Sequence, residues 1–248
     1  MESSLVIKLF GLLEATAGQA EGRSLADLAA EVGLTKPTAH RILKTLSSLG
    51  YIERTRPGYY RQTNRLRRVI SGQDDQRLIH CSQPALRELH QVTRETINLG
   101  VLRQGRIVYL SVLESPEPLR RIVNPNMTDP FACTALGRAI VAHLPEERRG
   151  YLLRNTVLEK RTPFTIVDPV ELLALLENVH RSGFAMEENE TDIGVLCLGA
   201  PVFDRDGVAG AISITLPTVR DTEDRRKSFV GLLLGTAEEV TAALRSEA

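Results

Sequence analysis

The side chains that could do chemistry fall into two sets, one cationic and one built from hydroxyls and thiols. The cations lie near the N-terminus: Lys36, Arg41 and Lys44 in one short stretch, then Arg54, Arg56 and Arg61. A helix running from Thr35 to about Leu49 would gather Ala39, Ile42, Leu43, Leu46 and Leu49 on one side. Pro37, His40, Arg41, Lys44 and Ser48 would then fall opposite. An apolar face beneath a cationic, hydrogen-bonding face suits a helix that packs on its own domain and enters a major groove. Lys36, Thr38 and Arg41, in the N-terminal half, are expected at base edges, and Lys44 at phosphate. Ser24 and Pro37, at the starts of consecutive helices, join the DNA-binding candidates. His40 is open to two readings, contact with DNA or packing at the helix edge. Arg54, Arg56 and Arg61 are placed for backbone or minor-groove contact.

The second set lies in the C-terminal half. Thr134 and Ala135 open a predicted helix, whose first amides form a natural carboxylate or phosphate site. Ser213 and Thr215 alternate by two along a predicted strand, so their hydroxyls share a face. The three cysteines, Cys81, Cys133 and Cys197, show no CxxC spacing, which points to a reducing, cytoplasmic compartment rather than a disulfide framework. A cysteine-based redox catalyst would need a base, and His143 and His180 stand at no recommending spacing. His80-Cys81 is a metal-ligand pair without a second cluster, so no metal, no cofactor and no enzymatic role are expected.

These residues need elements to position them. Residues 4–16 read as a helix carrying Leu5, Leu9, Leu12 and Leu13, followed by a polar loop from Gly18 to Gly22. Ser24 caps a second helix with Leu25, Leu28, Ala29 and Val32 on one face, and Gly33 stops it. Thr35 and Pro37 open the third helix, which Gly50 ends. Tyr51–Thr55 and Tyr59–Thr63 flank a Pro57-Gly58 turn as a hairpin. Residues 64–95 look helical, interrupted near Gly72 and again before Pro84. The period then changes to two: 98–103 and 106–113 flank Gln104-Gly105 as a hairpin. Helices are expected at about 134–144, from Asp168-Pro169 to Gly183, and at 222–245. Strands are expected at 194–203 and 208–216, joined by Asp204–Gly207. Helices mixed with antiparallel hairpins make the fold class α+β.

Composition is that of a globular chain, 42% apolar and 25% charged over 248 residues. The formal net charge is zero, but it divides unevenly. Residues 1–72 hold 11 Lys and Arg against 6 Asp and Glu, and the remainder 20 against 25. The N-terminal segment therefore suits a polyanionic partner and the rest does not. No apolar run reaches the roughly 18 residues of a membrane span, and the acidic Glu2 argues against a signal peptide. The absence of Trp argues against a single-strand binder built on stacking.

The stretch Ser24-Leu25-Ala-Asp-Leu28-Ala-Ala-Glu-Val32-Gly33-Leu34-Thr35-Lys36-Pro37-Thr38-Ala39-His40-Arg41-Ile42-Leu43 resembles the DNA-binding domain of IclR-type bacterial regulators. Asp129–Ala139 resembles that family's segment before its ligand site. Gly183–Glu187, Gly194–Asp204 and Ala211–Thr215 resemble its C-terminal signature. The sequence departs from the family at Ala132, where His is common. The resemblance implies a winged helix-turn-helix over 1–63, a linker helix over 64–82 and a GAF-like effector-binding domain over 83–248. It further implies a homodimer, which in this family often pairs into a tetramer, on double-stranded operator DNA, and control of a catabolic operon as repressor or activator. A small organic acid or aromatic metabolite would be the effector. By resemblance, Cys133, Thr134, Ala135, Glu187, Cys197, Ser213 and Thr215 line the effector site, with Met127, Ala135 and Leu196 as apolar walls and Glu187 in the loop before the Cys197 strand. A GAF-type cysteine enzyme and a winged helix that binds protein rather than DNA are the competing expectations.

Overall fold

A computed structural model describes residues 4–17, 21–63, 65 and 73–246. The chain divides into two compact units, one formed before Gln73 together with Pro145–Arg154, the other from Gln73–Leu144 and Asn155 onward.

In the first unit, α1 (Ser4–Ala15) leads to a short strand β1 (Arg23–Ser24), then α2 (Leu25–Glu31) and α3 (Lys36–Ser48). The Ser24 hydroxyl caps α2, accepting from the Asp27 amide at 3.2 Å and donating to the Asp27 carboxylate at 2.6 Å. Gly33 takes a φ of +67° in the turn between α2 and α3, a conformation that costs a side chain. β2 (Ile52–Arg56) and β3 (Tyr59–Gln62) form the expected hairpin. The sequence did not signal β1, which completes a three-stranded sheet in the order β1-β3-β2. Leu12, Leu28, Ala39, Ile42, Leu43, Leu46, Ile52 and Tyr60 form the core.

The second unit opens on α4 (Gln73–Thr93), which runs unbroken through Pro84. The expected interruption there does not occur, and the expected boundary at residue 83 falls inside a helix. Leu78, Cys81, Ala85, Leu86 and Leu89 bury one stripe along α4, and that packing outweighs the proline's lost hydrogen bond. Of the expected linker helix over 64–82, residue 64 and residues 66–72 lie outside the described residues.

β4 (Thr96–Arg103) and β5 (Arg106–Leu113) follow, with positive φ at both Gln104 and Gly105, as a tight hairpin of the primed kind requires. Next come β6 (Thr128–Pro130), a 3₁₀ turn (Phe131–Cys133), α5 (Ala135–Ala142), then α6 (Glu146–Asn155), which up to Arg154 belongs to the first unit, and α7 (Pro169–Ser182). β7 (Ala185–Glu188), β8 (Val195–Asp204), β9 (Gly207–Pro217) and α8 (Glu223–Ser246) close the chain. The strands form one antiparallel six-stranded sheet in the order β6-β5-β4-β9-β8-β7.

One face of the sheet is continuously apolar, whereas the other mixes apolar and polar residues. On the apolar face Ile97, Leu99, Leu196, Leu198, Ile212 and Ile214 pack against α4 and α8. The opposite face carries Asn98, Glu187, Cys197, Ser213 and Thr215, aligned across β4, β9, β8 and β7 by register. α5 covers this polar face at very short range. A Cβ on Gly199 would lie 2.6 Å from the Ala135 carbonyl carbon, and one on Gly137 would lie 2.3 Å from the Phe131 carbonyl oxygen. Both contacts are with backbone, so only glycine fits at either position. Gly199 lets the first turn of α5 lie directly on β8, and Gly137 lets α5 close against the preceding 3₁₀ turn.

Candidate functional site

The structure presents two constellations, one on the surface of the first unit and one inside the second. On α3 the helical period works out as expected. Ala39, Ile42, Leu43 and Leu46 are buried, while Lys36, Pro37, His40, Arg41 and Lys44 are exposed and Thr38 is half-buried. The Thr38 hydroxyl sits 2.9 Å from that of Thr35 at the helix start. His40 stands exposed rather than packed at an edge.

The other DNA-binding candidates divide. Arg54 is exposed on β2. Arg56 is exposed, and its guanidinium lies over the Tyr59 ring at 3.7 Å, which holds the cation at the hairpin tip. Arg61 reaches across to Glu53 on the neighbouring strand, at 3.0 Å from Nε and 2.6 Å from one Nη. Its charge is therefore offset locally, which weakens its case for phosphate contact. Ser24 has its hydroxyl engaged twice in the α2 cap and serves the helix before any ligand.

The internal constellation lies between the polar sheet face and α5. Thr134, Ala135, Glu187, Cys197, Ser213 and Thr215 line one small cavity together. Thr134 caps α5 by accepting from the Gly137 amide at 3.1 Å. The amides of Ala135 and Leu136, left without intrahelical acceptors by helix geometry, are those nearest the cavity. Glu187 is buried and accepts from the Glu190 and Thr191 amides at 3.2 Å each. Burial pushes its pKa up against the pull of those hydrogen bonds. Cys197 contacts the Thr215 hydroxyl at 3.2 Å.

Four effector-site expectations differ from what this cavity shows. Leu196 is fully buried in the apolar core on the other face of the sheet, as strand alternation demands of the neighbour of Cys197. Met127 is 41% exposed, with its sulfur accepting from the Asn124 amide, and does not line the cavity. Glu187 lies not in a loop but within β7, directly opposite Cys197. Cys133 is buried beside the cavity without lining it, its thiol directed at the Pro130 carbonyl and its own carbonyl accepting from Thr191 at 2.7 Å.

Sequence reasoning missed the groups that close the cavity. Tyr109, Arg121, Leu136 and Thr191 complete its lining. Arg121 donates to Asp192 at 2.7 Å, to Asp129 at 2.9 Å and to the Tyr109 hydroxyl at 3.2 Å. Tyr109 in turn donates to Asp129 at 2.9 Å, and Arg161 reaches the same carboxylate at 2.5 Å. Burial would raise the Asp129 pKa, but the guanidinium of Arg121 outweighs it and holds the group below the usual carboxylate range. Burial drives the Tyr109 hydroxyl upward, with the Asp129 charge adding to it. On α5 itself, the buried Arg138 forms a two-pronged pair with Glu190 at 2.6 and 2.5 Å and donates to the Ala132 carbonyl at 2.7 Å. This pair ties α5 to the loop that carries Thr191.

The thiols are poor nucleophiles. Burial pushes Cys133 up to about 11 and raises Cys197 well above the ordinary thiol value. Both therefore stay protonated at neutral pH, contrary to the needs of a cysteine-based catalyst. Among the described residues no group of His, Cys, Asp and Glu is placed to hold a metal ion. No described helix is long and apolar enough to cross a membrane.

An exposed cationic helix on a winged helix-turn-helix, in one chain with an α-covered antiparallel sheet domain, defines a helix-turn-helix transcriptional regulator. The family description "IclR helix-turn-helix domain" matches residues 5–56, and "Bacterial transcriptional regulator IclR C-terminal" matches residues 72–242. The chain belongs to the IclR family. It is 31% identical to the HTH-type transcriptional regulator KdgR of Escherichia coli (strain K12), covering 97% of this chain and 92% of that protein. It is 30% identical to the Transcriptional repressor IclR of the same organism, over 94% of this chain and 86% of that protein. Among solved structures, the Thermotoga maritima IclR superposes with a TM-score of 0.67 at 24% identity, covering 96% of this chain and 98% of that chain.

Proposed function

We propose that the protein is a cytoplasmic, ligand-responsive regulator of a catabolic operon, with residues 1–63 binding double-stranded operator DNA and the sheet domain sensing a small organic acid. The observation that carries the DNA half is the division of α3 into a buried apolar face and an exposed face bearing Lys36, Arg41 and Lys44. Lys36, Thr38 and Arg41 read base edges, while Lys44, Arg54 and Arg56 hold phosphates. α4 runs unbroken through the expected boundary, which supports a sensing domain that begins at Gln73 rather than at residue 83.

The protein acts as a homodimer, and pairing of dimers into a tetramer is the alternative assembly. Leu5, Val6, Ile7 and Phe10 form an exposed apolar surface on α1, each at least half exposed, that a second copy would cover.

The effector half rests on the cavity. Its α5 amides and the Ser213 and Thr215 hydroxyls offer donors, and Arg121 supplies a cation. The space enclosed is that of about one water molecule. An organic acid can enter only by parting Arg121 from its aspartates or α5 from the sheet. Binding and conformational change are then one event, as a sensor requires. This tight cavity favours a small acid over an aromatic compound.

Footprinting of the DNA upstream of the flanking genes, with and without a panel of small organic acids, tests the proposal. A protected near-palindrome whose occupancy responds to one acid is expected. A uniform, sequence-independent footprint that no acid alters would refute it.

A further inference from the structure

Asn98 stands on β4, opposite Ser213 of β9 in register, and is almost completely buried. It does not line the cavity but lies behind its wall. Its side-chain amide donates one hydrogen to the Ser213 hydroxyl and one to the Thr215 hydroxyl, each at 3.1 Å. Its carbonyl oxygen, Oδ1, is buried with no hydrogen-bond partner. A buried acceptor without a donor is costly and calls for a reason. The opposite orientation of the amide would be worse, because it would strand two N–H donors instead of one acceptor.

The orientation has a consequence for the cavity. A hydroxyl owns one proton and accepts through its lone pairs. With Asn98 feeding the oxygens of Ser213 and Thr215, neither hydroxyl needs to turn its proton back toward β4. The Thr215 proton can then turn to Cys197, whose sulfur lies 3.2 Å away, or to the cavity, and the Ser213 proton can turn to the cavity that both residues line. Both side chains are thereby set as donors on the sheet wall of the cavity, facing the first amides of α5 across it.

We propose that Asn98 is a positioning residue of the effector site, which fixes the Ser213 and Thr215 hydroxyls as proton donors and so makes the cavity select a carboxylate over its neutral amide. The inference rests on the effector reading given above. It adds the residue that decides which polarity the site accepts. An aspartate at this position would keep the shape and reverse the logic. Its carboxylate would draw both hydroxyl protons toward β4, leaving lone pairs in the cavity beside a new negative charge.

The test uses the full chain and the smallest matched probes, formate and acetate against formamide and acetamide, read by thermal shift and calorimetry. Wild type is expected to bind the carboxylates in preference to the amides. Asn98→Asp should lose carboxylate affinity by about 10- to 100-fold, the range of a hydrogen bond to a charged group, and prefer the amides. Asn98→Leu, similar in size and without charge, should lose the carboxylate preference without gaining the reverse one. A purely structural role would weaken both probe types together. If a folded Asn98→Asp keeps the wild-type preference, the positioning role is wrong while the effector reading stands. Should the aspartate variant fail to fold, wild-type carboxylate affinity in Asn98→Leu overturns the role in its place. If neither probe type stabilises wild type, the effector reading falls and this inference with it.

Discussion

The cations of α3 stand on the outer face of a helix, whereas the hydroxyls of β9 stand on the inner face of a sheet. The first set is held by the buried leucines beneath it and interacts little with itself. The second set is bound into its surroundings: Asn98 to Ser213 and Thr215, Arg138 to Glu190, Arg121 to Asp129 and Asp192. Outward chemistry can be altered one side chain at a time without disturbing the fold. Inward chemistry is part of the core, so ligand recognition and stability cannot be separated there. A readout unit benefits from the first arrangement, because its partner is a large fixed polyanion. A sensor benefits from the second, because a ligand that displaces internal hydrogen bonds necessarily moves the elements they join.

The largest test of this contrast is Arg138→Leu. It leaves Glu190 buried beside α5 without its partner, and a broken buried pair costs about 3–5 kcal/mol. Urea unfolding of the full chain should show that loss in the transition of the sheet domain. Replacing both members, Arg138→Leu with Glu190→Leu, should recover much of it. A loss under about 1 kcal/mol for the single change would mean that the pair is solvated and that the inner network does not brace the fold.

On the outer face, Arg41→Ala should leave the unfolding transitions unchanged. Its effect belongs to DNA: about 1–3 kcal/mol of operator affinity and a relaxed preference at the base it reads. Quantitative gel shift on operator and scrambled duplexes measures both. Unchanged discrimination between the two duplexes would remove Arg41 from the base-reading set and leave it with the phosphates.

The same contrast explains what could be read from the chain. α3 was legible because one period, acting over consecutive residues, sorts Ile42, Leu43 and Leu46 from Arg41 and Lys44. The hairpin at Gln104-Gly105 and the capped start of α7 at Asp168 were legible for the same local reason. In the sensing domain Ser213 and Thr215 emerged from strand alternation, and that same rule, applied to β8, separates Leu196 from Cys197. What stayed hidden was long range. Arg138 and Glu190 are 52 positions apart, and Arg121 and Asp192 are 71 apart. Asn98 meets Ser213 only because β4 and β9 are neighbours in the sheet. No local pattern marks Arg121, one of many arginines, as the one that closes a cavity. Pro84 misled for the opposite reason, since a local rule was overridden by the tertiary packing of α4.

Acid should also separate the inner network from the outer face. Arg121 and Arg161 hold Asp129 below its ordinary value, so its folded-state pKa is lower than its unfolded one. The group therefore stabilises the fold fully above the ordinary carboxylate range. That contribution is lost as pH falls through the folded-state value, beginning below about pH 4. Asp129→Asn should lower stability at neutral pH and flatten the acid limb of a plot of urea midpoint against pH. An acid limb as steep as wild type would place the titration on other carboxylates.

The finest test is the ionic-strength dependence of operator binding. Lys44 lies on the exposed face of α3 beyond the proposed base readers, and on the proposed docking it meets phosphate rather than a base edge. Neutralising one phosphate contact lowers the slope of log affinity against log salt by about 0.9 on duplex DNA. Lys44→Ala should show that reduction, with affinity weakened equally for operator and scrambled duplexes. Arg41→Ala, in contrast, should narrow the gap between the two duplexes. If Lys44→Ala narrowed the gap and Arg41→Ala changed only the slope, the helix would sit in the groove about one turn further along than its N-terminal placement requires. The roles of the two cations would then be exchanged while the outer face as a whole kept its function.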